Sequence, residues 1–346
     1  MQLVALVEAE DHVCCRYRLA ALRPLLAAAG HPLVFHPLPR GWAARLTLGR
    51  DLAYADAVIL QRKLLPRVAL ALLRRRVRRL VFDFDDAVWL RDSYSPKGFA
   101  DPKRTRRFRA VCAAADLVVA GNEYLATEAR RWAAPDRVVV VPTCVDVTKY
   151  PPPPAKPARP GVQLVWVGSS STLRGLERFI PTLSAIGRAV PGTRLKLVCD
   201  RFLSIPDLPV DECPWVEATE PAEIAAADVG IGWVPDDPWS RGKCGLKVLQ
   251  YQAAGLPVVA NPVGVQADFV RDGETGFVAN TTEEWVSAVR RLADAPALRA
   301  RLGATGRRLA ETEYSVPAAA ARWADALHRE IREQRTEGRE RRAEVR

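Results

Sequence analysis

The stretch that decides the fold is RGKCGLKVLQYQAAGLPVVA, residues 241–260. A loop containing Gly242 and Gly245 leads into a helical pattern, which ends at Gly255 before a short apolar run. Backbone N–H groups at the start of such a helix can hold a diphosphate, and the helix dipole adds about 0.3–1 kcal/mol. Lys247 falls in the first turn, where a cation is unfavourable unless an anion faces it. The stretch therefore predicts a phosphate site, with a solvent-exposed Lys247 as the alternative interpretation.

Outward from this stretch, short β-branched runs alternate with longer amphipathic stretches. Near-continuous apolar strands that alternate with helices predict parallel sheets covered on both faces. The predicted strands are 2–7, 57–61, 80–84, 117–120, 137–141, 163–167, 194–199, 229–233 and 257–260. The predicted helices are 16–29, 66–79, 103–115, 122–133, 174–190, 245–254, 282–294, 296–312 and 317–337.

The clearest break in this pattern is PPPPAKPARP at 151–160, where six prolines in ten residues predict an extended linker. A chain of 346 residues has room for two domains. We therefore expect two Rossmann-like, doubly wound α/β domains whose ligands bind in the cleft between them. The predicted parts are an acceptor-side domain at 1–150, the linker at 151–160, a donor domain at 161–315, a helix at 316–338 that packs back on the first domain, and a charged tail at 339–346.

The positive charge is concentrated in the first half of the chain. Residues 1–150 hold 25 Lys and Arg against 15 Asp and Glu, and they contribute +10 to the net charge of +11. Such a domain is either a solvated arginine-rich face or a surface that attracts anionic lipid, a phosphorylated acceptor or nucleic acid. No nucleic-acid-binding motif accompanies the charge, so a nucleic-acid partner is not expected.

Other features narrow the class of protein. Seven scattered cysteines without a C-x-x-C pair, and only four histidines, argue for reduced thiols and against a disulfide framework or a metal site. No apolar run reaches the ~18–20 residues of a membrane helix, and the N-terminus has no leader pattern. We therefore expect a cytoplasmic protein, with peripheral contact at the inner membrane face. The P-loop, G-x-G-x-x-G, G-x-S-x-G and H-E-x-x-H motifs do not occur.

Six short motifs occur in an order that resembles GT-B glycosyltransferases of family 4, the group 1 type. They are DFDDAVW at 83–89, NEYL at 122–125, VPTCVD at 141–146, DVGIGWVP at 228–235, KCGLKVLQYQAAGLPVV at 243–259 and DGETGFV at 272–278. The resemblance covers roughly residues 3–315. It implies a retaining, metal-independent transfer of a sugar from a nucleotide-diphosphate sugar to a hydroxyl acceptor, without a further cofactor. The acceptor it implies is a cell-envelope glycan, a lipid-linked molecule or a small molecule.

The chain departs from this family at two donor-site positions. Family members usually carry glutamates where this chain has Gly242 and Gln250, and the second of these usually contacts the donor ribose. Gln250 keeps hydrogen-bonding capacity, whereas Gly242 offers only backbone. Ser169 stands where the family usually has an arginine, and Arg174 fits the position of its lysine as a phosphate ligand. The hydroxyls from Ser169 onward can instead form a cap for the helix that follows.

The resemblance assigns donor binding to the loops and helix starts of the second domain and an acceptor to the first. The predicted donor-binding residues are Gly168, Ser169, Arg174, Lys243, Gly245, Leu246, Lys247 and Gln250. The predicted acceptor-side residues are His12, Arg16, Arg62 and Asn122.

Asp85, Asp86 and Lys247 are the predicted catalytic residues. The two aspartates follow an apolar strand, and three interpretations of them stay open. They can orient sugar or acceptor hydroxyls, pair with a nearby arginine, or hold a metal; no metal is expected, because GT-B enzymes usually hold the leaving diphosphate with a helix dipole and basic residues. His12 is either a base or a loop residue with satisfied hydrogen bonds.

Two other functions remain open. A nucleotide-sugar epimerase of the same fold would rearrange its donor without an acceptor. A degenerate glycosyltransferase that acts as a binding partner would account for the two missing glutamates.

Overall fold

The protein folds into two compact units, which we describe separately. The first unit is Met1–Cys144 together with the segment that begins at Val316, and the second is Val145–Ser315. The computed structural model describes residues 1–39, 41–48, 52–151 and 161–328. Most of the predicted linker and the charged tail therefore lie outside the described residues. The division of the units falls before the predicted boundary at residue 150, because Val145 forms a bridge with Ser315.

The first unit is built on a six-stranded sheet in which all neighbouring strands are parallel. Its strand order is β2-β1-β3-β4-β5-β6. Its strands are β1 (Leu3–Val7), β2 (Leu33–Pro37), β3 (Ala57–Gln61), β4 (Leu80–Phe84), β5 (Leu117–Ala120) and β6 (Val138–Val140). Every residue of β1, β3, β4 and β5 is buried, as expected for central parallel strands.

Helices connect these strands. In the described part of the first unit they are α1 (Val13–Cys15), α2 (Arg23–Ala28), α3 (Trp42–Leu46), α4 (Arg67–Arg76), α5 (Pro102–Ala114) and α6 (Glu123–Arg130). Residues 316–328 are also helical. Trp323 and Leu327 of that helix are buried in the same core as Leu3 and Leu19. The predicted helix 16–29 is not continuous: a π-helical turn at Arg16–Ala20 precedes α2, because Pro24 fits only the first turn of a helix.

The second unit repeats the architecture. Its six-stranded sheet has the order β12-β11-β10-β7-β8-β9, again with parallel neighbours. Its strands are β7 (Gln163–Val167), β8 (Arg194–Cys199), β9 (Val210–Pro214), β10 (Val229–Gly232), β11 (Val258–Ala260) and β12 (Gly276–Val278). Its helices, among the residues described, are α7 (Ser170–Ala189), α8 (Glu220–Ala225), α9 (Leu246–Ala253), α10 (Gln266–Phe269), α11 (Thr282–Asp294) and α12 (Pro296–Glu313). Two apolar clusters cover the faces of this sheet.

The described helices do not include one that is both long enough and apolar enough to cross a membrane.

Candidate functional site

The second sheet has a topological switch between β7 and β10. From β7 the chain adds β8 and β9 on one side, whereas β10, β11 and β12 lie on the other. The loops that leave β7 and β10 therefore run to opposite faces of the sheet and open a crevice at its carboxyl edge. These loops lead into α7 and α9, so the residues singled out by the sequence motifs lie beside this crevice.

Helix α9 begins at the crevice with no side chain capping its N-terminus. Its N-cap is Gly245, whose φ of 66° is in the left-handed region. A Cβ atom there would lie 2.6 Å from Val265 Cγ2, so glycine is required for its conformation and for space. The helix start at Gly245 and Leu246 can therefore offer backbone N–H groups to an anion, as the sequence predicted.

Lys247 extends from the first turn of α9 toward α7. Its Nζ donates to Thr172 Oγ1 at 3.3 Å and lies 4.1 Å from the centre of the Trp166 ring. In the described part of the chain, no carboxylate forms an ion pair with it. Burial and, to a smaller extent, the positive charge of Lys243 together lower the pKa of Lys247 to about 7. A half-buried lysine that forms no ion pair with a described carboxylate, in the first turn of a helix whose start no side chain caps, fits the predicted anion site. The binding of an anion there stays a prediction.

The loop after β7 has a structural role that the motif did not reveal. The backbone N–H of Gly168 donates to the carbonyl of Val198, so it is used within the sheet. A Cβ atom on Gly168 would lie 2.1 Å from the ring of Trp166. Gly168 therefore makes room for the indole that lies under Lys247, and any influence on a donor passes through that ring.

The serines at the start of α7 are already engaged. Ser169 N donates to Thr172 Oγ1, and Ser169 Oγ is 2.8 Å from Ser171 Oγ. Asp200, which follows β8, accepts from Ser170 N at 2.6 Å and Ser170 Oγ at 2.7 Å. These bonds lower the pKa of Asp200. The contacts therefore support the capping interpretation of the serines, and the Asp200 carboxylate occupies the start of α7. No side chain caps the start of α9 in the same way.

Two further cations lie near the crevice loops. Arg174, in the first turns of α7, is exposed and forms no ion pair with a described residue. Lys243 lies 5.3 Å from the centre of the Trp239 ring, just before α9. Both can add positive charge next to Lys247, as the sequence predicted. Gly242 is buried and supplies backbone only.

Gln250 is held by a buried carboxylate that the sequence did not point to. Its Nε2 donates to Glu220 Oε1 at 2.6 Å, and the two residues are 3% and 8% exposed. The other carboxylate oxygen accepts from Trp215 Nε1. Glu220 thus links α9 to the loop after β9, close to the position where the family usually has a glutamate. A contact between Gln250 and a ribose stays a prediction.

In the first unit, Asp85 and Asp86 enclose an arginine. Arg62 Nη1 lies 2.8 Å from Asp85 Oδ1, and Arg62 Nη2 lies 2.6 Å from Asp86 Oδ2. Arg62 follows β3 with a φ of 56°, which is uncommon for a residue with a side chain. Of the three interpretations of the two aspartates, the contacts therefore support the one in which they pair with a nearby arginine. The group of three carries a formal charge of −1, and its catalytic role stays a prediction.

A second buried ion pair lies behind this group. Arg18 and Asp83 are 2% and 0% exposed, and Arg18 Nη2 is 2.6 Å from Asp83 Oδ1. Gln61 Nε2 donates to the same carboxylate at 3.2 Å, and Arg18 Nη1 donates to the carbonyl of Val141. This pair ties the ends of β3, β4 and β6 to the segment that follows β1.

The remaining acceptor-side residues have local roles. His12 Nδ1 accepts from Cys14 N and caps α1, which agrees with the interpretation as a satisfied loop residue. Asn122 is 5% exposed, and its side chain caps α6 by accepting from Leu125 N at 2.9 Å. The guanidinium of Arg16 lies 5.5 Å from the centre of the Tyr17 ring. Their contribution to acceptor binding stays a prediction.

Comparison with known proteins begins with the second unit. Residues 161–295 match the family model described as "Glycosyl transferases group 1". The predicted resemblance to group 1 glycosyltransferases is confirmed.

Two similar relatives are both named D-inositol 3-phosphate glycosyltransferase. The protein of Rhodococcus erythropolis is 27% identical over 226 residues, 58% of this chain and 51% of its own length. That of Kineococcus radiotolerans is 32% identical over 218 residues, 52% of this chain and 49% of its own length. The chain thus spans about half the length of the curated relatives it matches.

Solved structures of glycosyltransferases share the fold of nearly the whole chain. Sucrose-phosphate synthase from Thermosynechococcus elongatus has a TM-score of 0.72 at 17% identity, covering 95% of this chain and 98% of that one. The Anabaena protein HepE in complex with UDP-glucose has a TM-score of 0.67 at 16% identity, covering 95% and 99%. The predicted α/β GT-B fold class is therefore confirmed.

The seven cysteines all lie in the described ranges, and none of them forms a disulfide there. Within the described ranges, no group of three or more His, Cys, Asp or Glu side chains is arranged to hold a metal ion.

Sequence reasoning missed Trp215, Glu220, Asp200 and the pair of Arg18 with Asp83. Their partners are 5, 30 or 65 residues away along the chain, so no local spacing marks them. The one available signal is Asp200, which directly follows the predicted strand 194–199, where parallel sheets place ligands. Trp215 and Glu220 follow no predicted strand.

Proposed function

We propose that the protein is a glycosyltransferase that moves a sugar from a nucleoside-diphosphate sugar to a hydroxyl acceptor. The observation that carries the proposal is Lys247, a half-buried cation that pairs with no carboxylate of the described residues and lies at the open start of α9. The topological switch of the second sheet supports the same location. The complex of HepE with UDP-glucose adds support for a donor of this class.

In the proposed reaction the bond between the anomeric carbon of the sugar and the diphosphate breaks, and the acceptor oxygen forms a new bond to that carbon. The proton of the acceptor hydroxyl passes to an oxygen of the leaving diphosphate. Negative charge develops on the leaving diphosphate. Lys247 and the N–H groups of α9 are positioned to stabilise it, and Lys243 and Arg174 add long-range attraction. Because these groups supply positive charge from the protein, we propose that the transfer is independent of metal and of further cofactors. Retention of the anomeric configuration is proposed from the family resemblance.

The pKa of about 7 gives Lys247 a defined part in this step. In the free protein near neutral pH a substantial fraction of Lys247 is uncharged, which lowers the cost of keeping it enclosed. An arriving diphosphate favours the ammonium form, so donor binding is coupled to proton uptake. The bound donor then faces a full positive charge beside its leaving group.

For the acceptor, we propose a hydroxyl-bearing anionic molecule. The name of the two relatives specifies inositol 3-phosphate, a phosphorylated polyol. The excess of positive charge in residues 1–150 provides attraction for such an acceptor. In this proposal Asp85 and Asp86 hold the Arg62 guanidinium in place at the carboxyl edge of the first sheet.

The basic first unit also supports peripheral contact with an anionic membrane. Arg67 and Arg75 on α4, and Lys103 and Arg106 on α5, are exposed and enter no ion pair with the residues that the structure describes. Val68, on α4, is 66% exposed and adds an apolar contact. Such a surface is attracted by anionic lipid. We propose a cytoplasmic location, where its seven thiols stay reduced.

The donor site is tested by thermal stability in the presence of UDP, GDP, ADP, CDP and TDP, with and without magnesium. A nucleotide at ~100-fold excess over its Kd stabilises the folded protein by about 2.7 kcal/mol. We expect one or more nucleotides to do so without magnesium, and we expect Lys247→Ala to abolish the effect. Lys149→Ala, which removes an exposed lysine of the same unit, is the matched control. No stabilisation by any nucleotide would favour the non-catalytic binding partner.

The reaction class is tested by nucleotide release from UDP-glucose and the other sugar donors. Release that depends on an acceptor supports a transferase, whereas donor conversion without an acceptor supports the epimerase. Comparing inositol 3-phosphate with inositol tests whether the acceptor must be anionic. Flotation with phosphatidylglycerol or phosphatidylcholine vesicles tests the membrane contact, and equal binding to both would contradict it.

A further inference from the structure

A tryptophan on the carboxyl edge of the second sheet is exposed although its polar end is buried. Trp215 directly follows β9 and is 39% exposed, and the next residue, Val216, is 50% exposed. Most large hydrophobic side chains in the described ranges are buried. The Trp215 ring stacks on no other aromatic ring that the structure describes. Its exposed surface is therefore an unoccupied apolar face beside the crevice loops.

The orientation of this ring is fixed from beneath. The indole Nε1 of Trp215 donates to Glu220 Oε2, and Glu220 is 8% exposed. Since the only polar atom of the indole is turned toward a buried carboxylate, the exposed part of the ring is carbon. Glu220 also accepts from Gln250, so each carboxylate oxygen has a donor. A ring held in this way loses little freedom when a ligand stacks on it.

The same contacts relate the ring to the anion site. Gln250 lies on α9 one turn beyond Lys247, so a chain of two hydrogen bonds connects the helix of the anion site to Trp215. Along the sheet edge, β9 lies two strands from β7. Two strand spacings amount to about 9–10 Å. An extended nucleoside diphosphate covers a comparable length from its diphosphate to its base.

We propose that Trp215 is the surface on which the base of the donor nucleotide stacks, with Glu220 as the residue that positions the ring. The proposal rests on the proposed function, because it assumes that the diphosphate binds at Lys247. Every nucleobase has an aromatic face, so stacking supplies affinity that is tolerant of the base. The polar contacts that distinguish one base from another then come from elsewhere in the site.

The test separates the base from the diphosphate. Calorimetric titrations of UDP, GDP and inorganic pyrophosphate are compared between the wild type, Trp215→Ala and Trp215→Phe. Loss of a base–aromatic stack weakens binding by roughly 5- to 150-fold. We expect Trp215→Ala to bind each nucleotide that the wild type binds about tenfold or more weakly, with pyrophosphate affinity unchanged. We expect Trp215→Phe, which keeps an aromatic face, to stay within about threefold of the wild type. Tyr54→Ala, which removes an aromatic side chain that is 52% exposed in the other unit, is the matched control.

Four results would overturn the proposal. Unchanged nucleotide affinity in Trp215→Ala would show that no base stacks on the ring. Equal losses for nucleotides and pyrophosphate would show that the substitution disturbs the anion site instead. If the wild type binds pyrophosphate but no nucleotide, there is no base subsite. If it binds neither, the donor site itself is refuted, and Trp215 loses its proposed role with it.

Discussion

Replacing Gln250 with the glutamate that is usual in the family is expected to destabilise the protein. The Gln250 amide nitrogen lies 2.6 Å from Glu220 Oε1, and both residues are buried. Gln250→Glu would place two carboxylate oxygens at that distance. With an effective dielectric constant of about 20, their repulsion would be about 6 kcal/mol. The substitution that makes the sequence look more like the family therefore introduces a charge conflict.

Proton uptake limits the cost of this conflict. Protonating one carboxyl of ordinary pKa, about 4.3, costs roughly 3.7 kcal/mol at pH 7. This is less than the repulsion, so we expect one proton to be shared by the pair and the variant to be less stable by about 2–4 kcal/mol at pH 7. The lower part of that range applies if Lys247, which lies near Glu220, offsets some of the negative charge.

The stability of the Gln250→Glu variant is also expected to fall as pH rises. In the folded variant the shared carboxyl keeps its proton above the pH at which the unfolded chain loses it. The folded state then binds more protons, so stability falls as pH rises above about 4.3, by roughly 1.36 kcal/mol per pH unit. The difference between Gln250→Glu and the wild type is expected to widen by about 2.7 kcal/mol from pH 5 to pH 7. Urea unfolding curves at pH 5, 6 and 7 measure it.

The exchanged pair is the matched control. In Glu220→Gln combined with Gln250→Glu, one amide and one carboxylate again face each other, and Trp215 Nε1 still has an oxygen to donate to. We expect most of the lost stability to return and the added pH dependence to disappear. A Gln250→Glu protein as stable as the wild type at pH 7, with an unchanged pH profile, would refute the reasoning.

Three further predictions concern the two units. As pH rises through about 7, Lys247 of the unliganded protein loses its proton, so the affinity for UDP is expected to fall by up to tenfold per pH unit. Calorimetric titration from pH 6 to pH 9 measures this fall, which should be smaller in Lys247→Arg because the arginine keeps its charge. Gly168→Ala would place its methyl group 2.1 Å from the Trp166 ring, so it should lower the stability of the protein by about 1–3 kcal/mol and weaken UDP binding. Thermal unfolding and titration with UDP measure the two effects, and a variant with normal stability and affinity would contradict the role given to this glycine. Arg18→Met leaves Asp83 buried without its cation and should lower the free energy of unfolding in urea by about 3–5 kcal/mol. Most of this loss should be recovered when Asp83→Leu is added, whereas an Arg18→Met protein of wild-type stability would contradict the prediction.

How far the fold could be predicted depended on where each strand lies in its sheet. Most of the predicted strands correspond to buried or largely buried strands, because a strand between two neighbours carries an apolar run that is visible in the sequence. The edge strand β6 was also predicted, because its three valines form such a run although two of them are only partly buried. The strands that the sequence pattern missed, β2, β9 and β12, each lie at an edge of a sheet. β2 and β9 have partly exposed residues and include polar side chains, and β12 has three residues. A strand with one free edge needs no continuous apolar run, so it leaves a weak signal.

The candidate site was predictable only where it depends on local backbone geometry. The start of α9, its glycine N-cap and the lysine in its first turn could be inferred from adjacent residues. The buried pairs could not, because each depends on the register of strands that are far apart in the sequence. Arg62 meets Asp85 and Asp86 because β3 and β4 are neighbours in register, with Gln61 opposite Asp83. The pairing of those carboxylates follows from the sheet, and their number alone left three interpretations open.

The network around Glu220 bears on what the missing glutamates mean. Judged by motif, the chain lacks an acidic residue at position 250, which is one reason to suspect a degenerate enzyme. In the folded chain, α8 brings a buried carboxylate to within 2.6 Å of the Gln250 side chain. An acidic group therefore remains next to α9, although a different element supplies it.

Position 242 has no such substitute in its own side chain, because Gly242 is buried and offers only backbone. We propose that Glu220 compensates for the loss at position 250 if the protein is an active transferase. In that case Glu220→Gln should impair turnover with little effect on pyrophosphate binding. If turnover instead survives Glu220→Gln unchanged, no carboxylate is needed at this place, and the family glutamate at that position is dispensable to this enzyme's chemistry.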